Sequence, residues 1–280
     1  MARYGTFHEG VADAVLLQCA AQAPGIKILS ILFLIKLLLV PTLIGLVTLA
    51  GRRWGPKVAG WLSAFPIIAG PILLFVALDH GAEFAATAAT GTLSAVLAIV
   101  VFSLGYSWAA MRLHWVGCLV VALLVYFIAV LGLAAVPMSL VQAALLALVS
   151  VVVAPRLFPV VTLPVVKIKP VRYDLPLRMI LGAALVMLIT YSAHNLGPRL
   201  AGILVMFPVM SSILTVFSHR SAGREFAILF LKGMMLGWYS FSTFCFTLAL
   251  LLHGAGVAVA FVLAVLAAAI VQLGSRRFLH

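Results

Sequence analysis

Apolar residues run along this chain in long blocks, and charged residues or Gly/Pro pairs mark where each block ends. A helix needs about 20 consecutive apolar residues to cross the hydrocarbon core of a bilayer. Read between its punctuation, the pattern predicts nine membrane spans. They fall at Leu29–Ala50, Lys57–Leu78, Phe84–Trp108, Trp115–Ala134, Met138–Pro155, Leu177–Ala193, Arg199–Ser218, Phe226–Leu252 and Ala255–Leu273. Between the fifth and sixth lies Arg156–Pro176, a basic, Pro-rich stretch that reads as the only long loop. The N-terminal stretch does not read as a secretory signal, because Glu9 and Asp13 follow Arg3 and the run Ala14–Ala21 is short and broken by Gln18 and Cys19. It reads instead as a short interfacial helix ended by Pro24–Gly25.

Composition strengthens this picture. The 280 residues are 65% hydrophobic and 9% charged, with a mean hydropathy of +1.28, whereas soluble domains carry about 25% charged residues. Such a chain cannot cover its surface with polar groups, so lipid is its solvent and no separate soluble domain fits. The expected class is an all-α, polytopic integral membrane protein of the bacterial inner (plasma) membrane. Its expected partners are the bilayer, a small-molecule solute and, at most, a second copy of the chain as a homodimer.

The formal charge of +12 does not imply nucleic acid, since no basic stretch interleaves aromatics in a soluble fold. Basic residues beside membrane helices set orientation instead. Alternate loops place thirteen of them on one side: Arg52, Arg53, Lys57, Arg112, Arg156, Lys167, Lys169, Arg172, Arg178, Arg220, Arg224, Arg276 and Arg277. The other side holds Arg3, Lys27 and Arg199 together with Glu9, Asp13, Asp79 and Glu83. The bias predicts a periplasmic N-terminus and a cytoplasmic C-terminus. Cys19, Cys118 and Cys245 have no paired spacing, and the seven histidines fall in loops or at ends without i,i+4 metal spacing. Neither a cofactor nor a metal is expected.

Self-similarity is the most informative feature. The stretch from Gly55, GPKVAGWLSAFPIIAGPILLFVALDHGAEFA, aligns without a gap with GPRLAGILVMFPVMSSILTVFSHRSAGREFA from Gly197, at an offset of 142 and with 12 of 31 positions identical. The same offset pairs Lys36 with Arg178, Thr48 with Thr190 and Gly91 with Gly233. The first copy covers spans one to four and the second spans six to nine, with span five between them. An intervening span turns the second copy upside down, which predicts a 4+1+4 inverted-topology repeat, an architecture many secondary transporters use for alternating access. The expected divisions are 1–28 (N-terminal segment), 29–135 (first repeat), 136–176 (linker helix and loop) and 177–280 (second repeat).

The second copy, with AGILVMFP followed by a Ser-containing helix and two more spans, resembles the small four-helix GlpM-like inner-membrane proteins, which have been linked to alginate production. The resemblance covers about 80 residues of each half. It implies either a membrane carrier or a non-transporting accessory of an envelope polysaccharide or lipid pathway. In plan the chain is also similar to a fused small multidrug resistance transporter of the drug/metabolite transporter superfamily. It lacks the first-helix glutamate those exporters use for proton coupling and has Lys36 and Arg178 near that place.

Candidate chemistry gathers at the repeated Phe-Pro pairs. Pro66 and Pro208 sit about midway through their spans, and each removes a backbone donor and bends its helix. Such interrupted helices in corresponding halves point to a transport site. The residues expected to bind substrate are Ser63, Phe65, Pro66, Phe207, Pro208, Ser211, Ser212, Lys232, Trp238 and Tyr239. Lys36, Glu83, Arg178 and Glu225 are the expected coupling or gating residues. The bland readings are a kink shared by duplication, lysines that snorkel to headgroups and glutamates favoured at helix N-termini. No catalytic motif is present: there is no buried acid pair, no His-Glu-x-x-His and no Gly-x-Ser-x-Gly. The expectation is a secondary transporter of a small anionic or amphiphilic solute and not an enzyme.

Overall fold

The structure, a computed structural model, describes residues 23–162, 173–195 and 207–278. Among these residues every regular element is helical. In chain order the helices are α1 (Ala23–Trp54), α2 (Pro56–Ser63), α3 (Ala69–His80), α4 (Ala82–Ser94), α5 (Val96–Ala109) and α6 (Trp115–Ala134). There follow α7 (Leu140–Leu157), α8 (Asp174–Asn195), α9 (Val209–Ala222), α10 (Arg224–Leu251) and α11 (Val257–Ser275), closed by a 3-10 turn at Arg276–Phe278. Among the described residues, five helical stretches are long and apolar enough to cross a membrane: α4–α5 as one 28-residue stretch, α6, α7, α10, and α11 with its closing turn. This is a membrane protein with multiple candidate spans. The N-terminal segment before Ala23 and the stretch Gly197–Met206 lie outside the described residues. Pro24–Gly25 falls in the first turn of α1, where a proline costs nothing because the first turn has no donor to lose, and the short helix expected before it lies outside the described residues.

The second sequence-read span, Lys57–Leu78, is two helices and not one bent one. Backbone at Ala64–Ile68 leaves the helix between α2 and α3. Pro66 and Pro71, five residues apart, each lack an N–H, so the backbone closes through shorter bonds instead. Leu62 O accepts from Phe65 N at 3.3 Å, which replaces the donor that Pro66 cannot supply. Ile67 N donates to Phe65 O at 2.8 Å and Gly70 N to Pro66 O at 2.9 Å. At the second Phe-Pro pair the last two of these bonds recur: Val209 N to Phe207 O at 2.8 Å and Ser212 N to Pro208 O at 2.9 Å.

The following corners also match. Gly81, between α3 and α4, has φ 87° and ψ 168°, and Gly223, between α9 and α10, has φ 88° and ψ 167°. This region is closed to residues bearing a Cβ, so glycine is required at both. Glu83 and Glu225 then occupy the first turns of α4 and α10.

Helix α10 is the central post. It packs against α2, α4, α5, α7, α9 and α11, and Phe230, Leu231, Met234, Met235 and Phe244 on it are almost wholly buried. Small residues let the backbones approach closely. A side chain at Gly60 would run into the carbonyl oxygen of Phe230, one at Gly233 into that of Lys57, and one at Gly237 into that of Trp61. Polar ties then fix α2 to α11: Trp61 Nε1 donates to Ser275 Oγ at 2.9 Å and Gln272 Nε2 donates to Trp61 O at 3.0 Å. Large apolar side chains on α6, α7 and α11 face outward, as lipid-facing surfaces do.

Candidate functional site

The two helix breaks meet. A cavity of about 350 Å³ is lined by both Phe-Pro pairs, by α1 at Val40, Leu43 and Val47, by α5 at Val96 and Ile99, and by α10 at Met234, Trp238 and Phe241. Of the residues expected to bind substrate, Ser63, Phe65, Pro66, Phe207, Pro208, Ser211 and Trp238 are on its walls. Ser212, Lys232 and Tyr239 are not among the lining residues. Ser212 is buried one position beyond Ser211, and Lys232 and Tyr239 are half-buried on α10.

The walls are mainly apolar, and the polar atoms in and beside them divide into two sets. Ser63 Oγ donates to Gly60 O at 2.7 Å and Thr92 Oγ1 to Ala88 O at 2.8 Å, so both hydroxyls are spent on their own helices. The indole N–H of Trp238 and the hydroxyls of Ser212 and Thr215 are buried and find no partner among the described residues. An unmet buried donor costs about 1–3 kcal/mol, and Trp238 lies on the cavity wall, its ring edge-on to Phe241 with centroids 4.9 Å apart. The arrangement is an apolar chamber with the Trp238 indole forming part of its wall and the indole N–H buried behind it. It suits a solute with a substantial apolar body. No acid, histidine, lysine or cysteine is among the described residues that line it.

A second, smaller cluster lies further along α1, sharing Val47 with the chamber. Asp174 Oδ2 accepts from Arg52 Nη2 at 3.0 Å and from Arg178 Nη2 at 2.9 Å. Arg178 also donates to Ser221 Oγ at 2.9 Å, and its guanidinium lies 5.3 Å from the Phe217 ring centroid. Arg178 is 4% exposed. Two guanidinium groups and one carboxylate thus join the end of α1, the start of α8 and the end of α9.

Of the other expected coupling residues, Glu225 and Glu83 are not among those lining the chamber. Glu225 pairs with its neighbour Arg224 at 2.8 Å, and Arg224 reaches Met111 O at 3.4 Å. Glu83 is exposed at the start of α4. Lys36 falls within α1, with its side chain outside what is described. Asp174 is the residue the sequence reading passed over. It carried a signal, as one of only six acids in the chain and set among basic residues. An acid in that company is placed to pair with them.

The chain matches no protein-family model, no curated protein and no solved structure.

Proposed function

We propose that the chain is a secondary transporter of the bacterial inner membrane that moves a small amphiphilic or anionic solute by alternating access. The observation that carries this reading is that the two Phe-Pro breaks, 142 residues apart, line one chamber. In the proposed architecture nine spans form two four-helix units of opposite orientation joined by α7. Supporting it, the two breaks share two backbone hydrogen bonds and the two following glycines share their backbone angles. A kink kept only for packing would have no reason to bring its twin to the same empty space. The apolar walls weight the proposal toward an amphiphile. The proposed orientation keeps the N-terminus in the periplasm and the C-terminus in the cytoplasm, supported by the basic residues of alternate loops.

The test is flux through purified protein in liposomes, with radiolabelled amphiphilic monocarboxylates such as benzoate as probes. Wild type is expected to carry at least one of them. Ser211→Trp, which fills the chamber, is expected to stop that flux while the protein still folds and melts cooperatively. Equal flux through both proteins would remove the chamber from the mechanism. Absence of flux from wild type across the panel would turn the reading to the accessory role that the GlpM-like resemblance implies.

A further inference from the structure

The cluster at the end of α1 carries more positive charge than it has negative. Arg52, Arg178 and Asp174 sum to one net positive charge, and their side chains are 30%, 5% and 9% exposed. The N-terminal end of α8, whose first turn holds Asp174, adds the positive pole of its helix dipole. Burying uncompensated charge is costly unless an opposite charge or a donor–acceptor set meets it.

Arg178 is also incompletely used. One of its terminal nitrogens serves both Asp174 and Ser221, while its Nε is buried with no acceptor among the described residues. Beside it is a cavity of about 30 Å³, whose walls include Arg52, Arg178, Thr48, Ser218 and Ser221. That space fits one or two waters or a single ion of similar size. A carboxylate-bearing metabolite or a phosphate ester is too large.

We propose that this pocket is a binding site for a small monovalent inorganic anion of chloride size, which shares Arg52 and Arg178 with the Asp174 carboxylate. The anion supplies the missing negative charge and an acceptor for the idle Nε of Arg178. Asp174 competes with it for the same two cations. Removing that carboxylate therefore strengthens the site, whereas a triad that only clamps α1 to α8 is weakened whatever anion is present. The site stands independently of the transport reading, because binding is measured without translocation.

The experiment is thermal unfolding of the purified protein in detergent, with chloride titrated against gluconate at constant ionic strength. Wild type is expected to melt at rising temperature as chloride increases, with saturation. Asp174→Asn is expected to start lower in gluconate, to recover as chloride is added and to saturate at about tenfold lower chloride, because one repulsive charge has gone. Arg178→Gln is expected to lose the dependence. If that variant does not fold, Arg52→Gln, changed at the most exposed member of the triad, is expected to require several-fold more chloride. Crystals soaked in bromide should show an anomalous peak beside Arg178. The proposal is overturned if the melts of wild type and Asp174→Asn are the same in chloride and gluconate, or if bromide is absent from the pocket.

Discussion

The seam between α2 and α10 makes the strongest demand on sequence in the molecule, and one methyl group tests it. In Gly60→Ala the new Cβ would meet the Phe230 carbonyl oxygen, with Met234 N and Phe230 C next at 2.8 and 2.9 Å. A carbon needs about 3.3 Å or more from a carbonyl oxygen, and the obstructing atoms are backbone, so no rotamer relieves the clash. The two helices must part by on the order of 1 Å, at the upper end of the roughly 1–3 kcal/mol that overpacking costs. Moving α2 also strains its two bonds to α11 through Trp61, each worth about 0.5–1.5 kcal/mol. A loss of about 3 kcal/mol follows, or on the order of 6–12 °C in melting temperature. Gly233→Ala, facing the Lys57 backbone from the other helix, should cost as much. Gly132→Ala and Gly274→Ala are the controls, since nothing lies within 4 Å of a Cβ built at either. They should be neutral or gain up to about 1 kcal/mol of helix propensity. The assay is thermal unfolding in detergent followed by size-exclusion elution. If Gly60→Ala and Gly233→Ala both melted within about 2 °C of wild type, the close-packed seam would be wrong.

Two further outcomes are expected. Cysteines introduced at His8 and Phe278, in a protein freed of Cys19, Cys118 and Cys245, should react with an impermeant thiol reagent in intact cells at the first position alone. Labelling only at the second would reverse the proposed orientation. His219, whose Nδ1 lies 3.1 Å from the Tyr106 hydroxyl, should make stability depend on pH. Burial first, and then His114, push its pKa below the ordinary histidine value, against an opposing pull from Glu225. The unfolded chain therefore takes up the proton first, so stability is full above about pH 6.5 and falls as pH drops toward the depressed folded value. His219→Gln should flatten that part of the melting profile, and an unchanged slope would show that another group is responsible.

Hydrophobic blocks made the uninterrupted helices legible and the interrupted ones only partly so. The block Trp115–Ala134 coincides with α6 residue for residue, because nothing inside it competes with the helix and non-helical residues bound it on both sides. Lys57–Leu78 looks equally continuous to any reading of polarity, since the residues at its break are as apolar as the helix around them. Only the prolines mark the break, since each removes a helical donor. The glycines show a similar division. Gly233 and Gly237, four apart, form a pattern recognisable as a close helix contact. Which helix supplies the opposing carbonyls depends on Gly60, more than 170 residues away, and no local pattern links the two.

The same reasoning separates the two candidate sites. The chamber was foreseeable because its signal occurs twice in the sequence: each Phe-Pro pair removes a helical donor and weakens the helix there, and two such places can share their cost by facing one space. The ion cluster was written once. Its members come from the end of α1, the start of α8 and the end of α9, and at the offset of 142 the first stretch has Leu32 where the second has Asp174. Charge alone suggested that Arg178 borders a membrane end, and orientation arguments spend such residues on topology. Topology requires only that an arginine stay near water. Arg178 does not: it is 4% exposed, stacked on Phe217 and bonded to Asp174 and Ser221. An arginine that gives up its hydration at a membrane end, when a turn of snorkelling would restore it, is held there by what it binds.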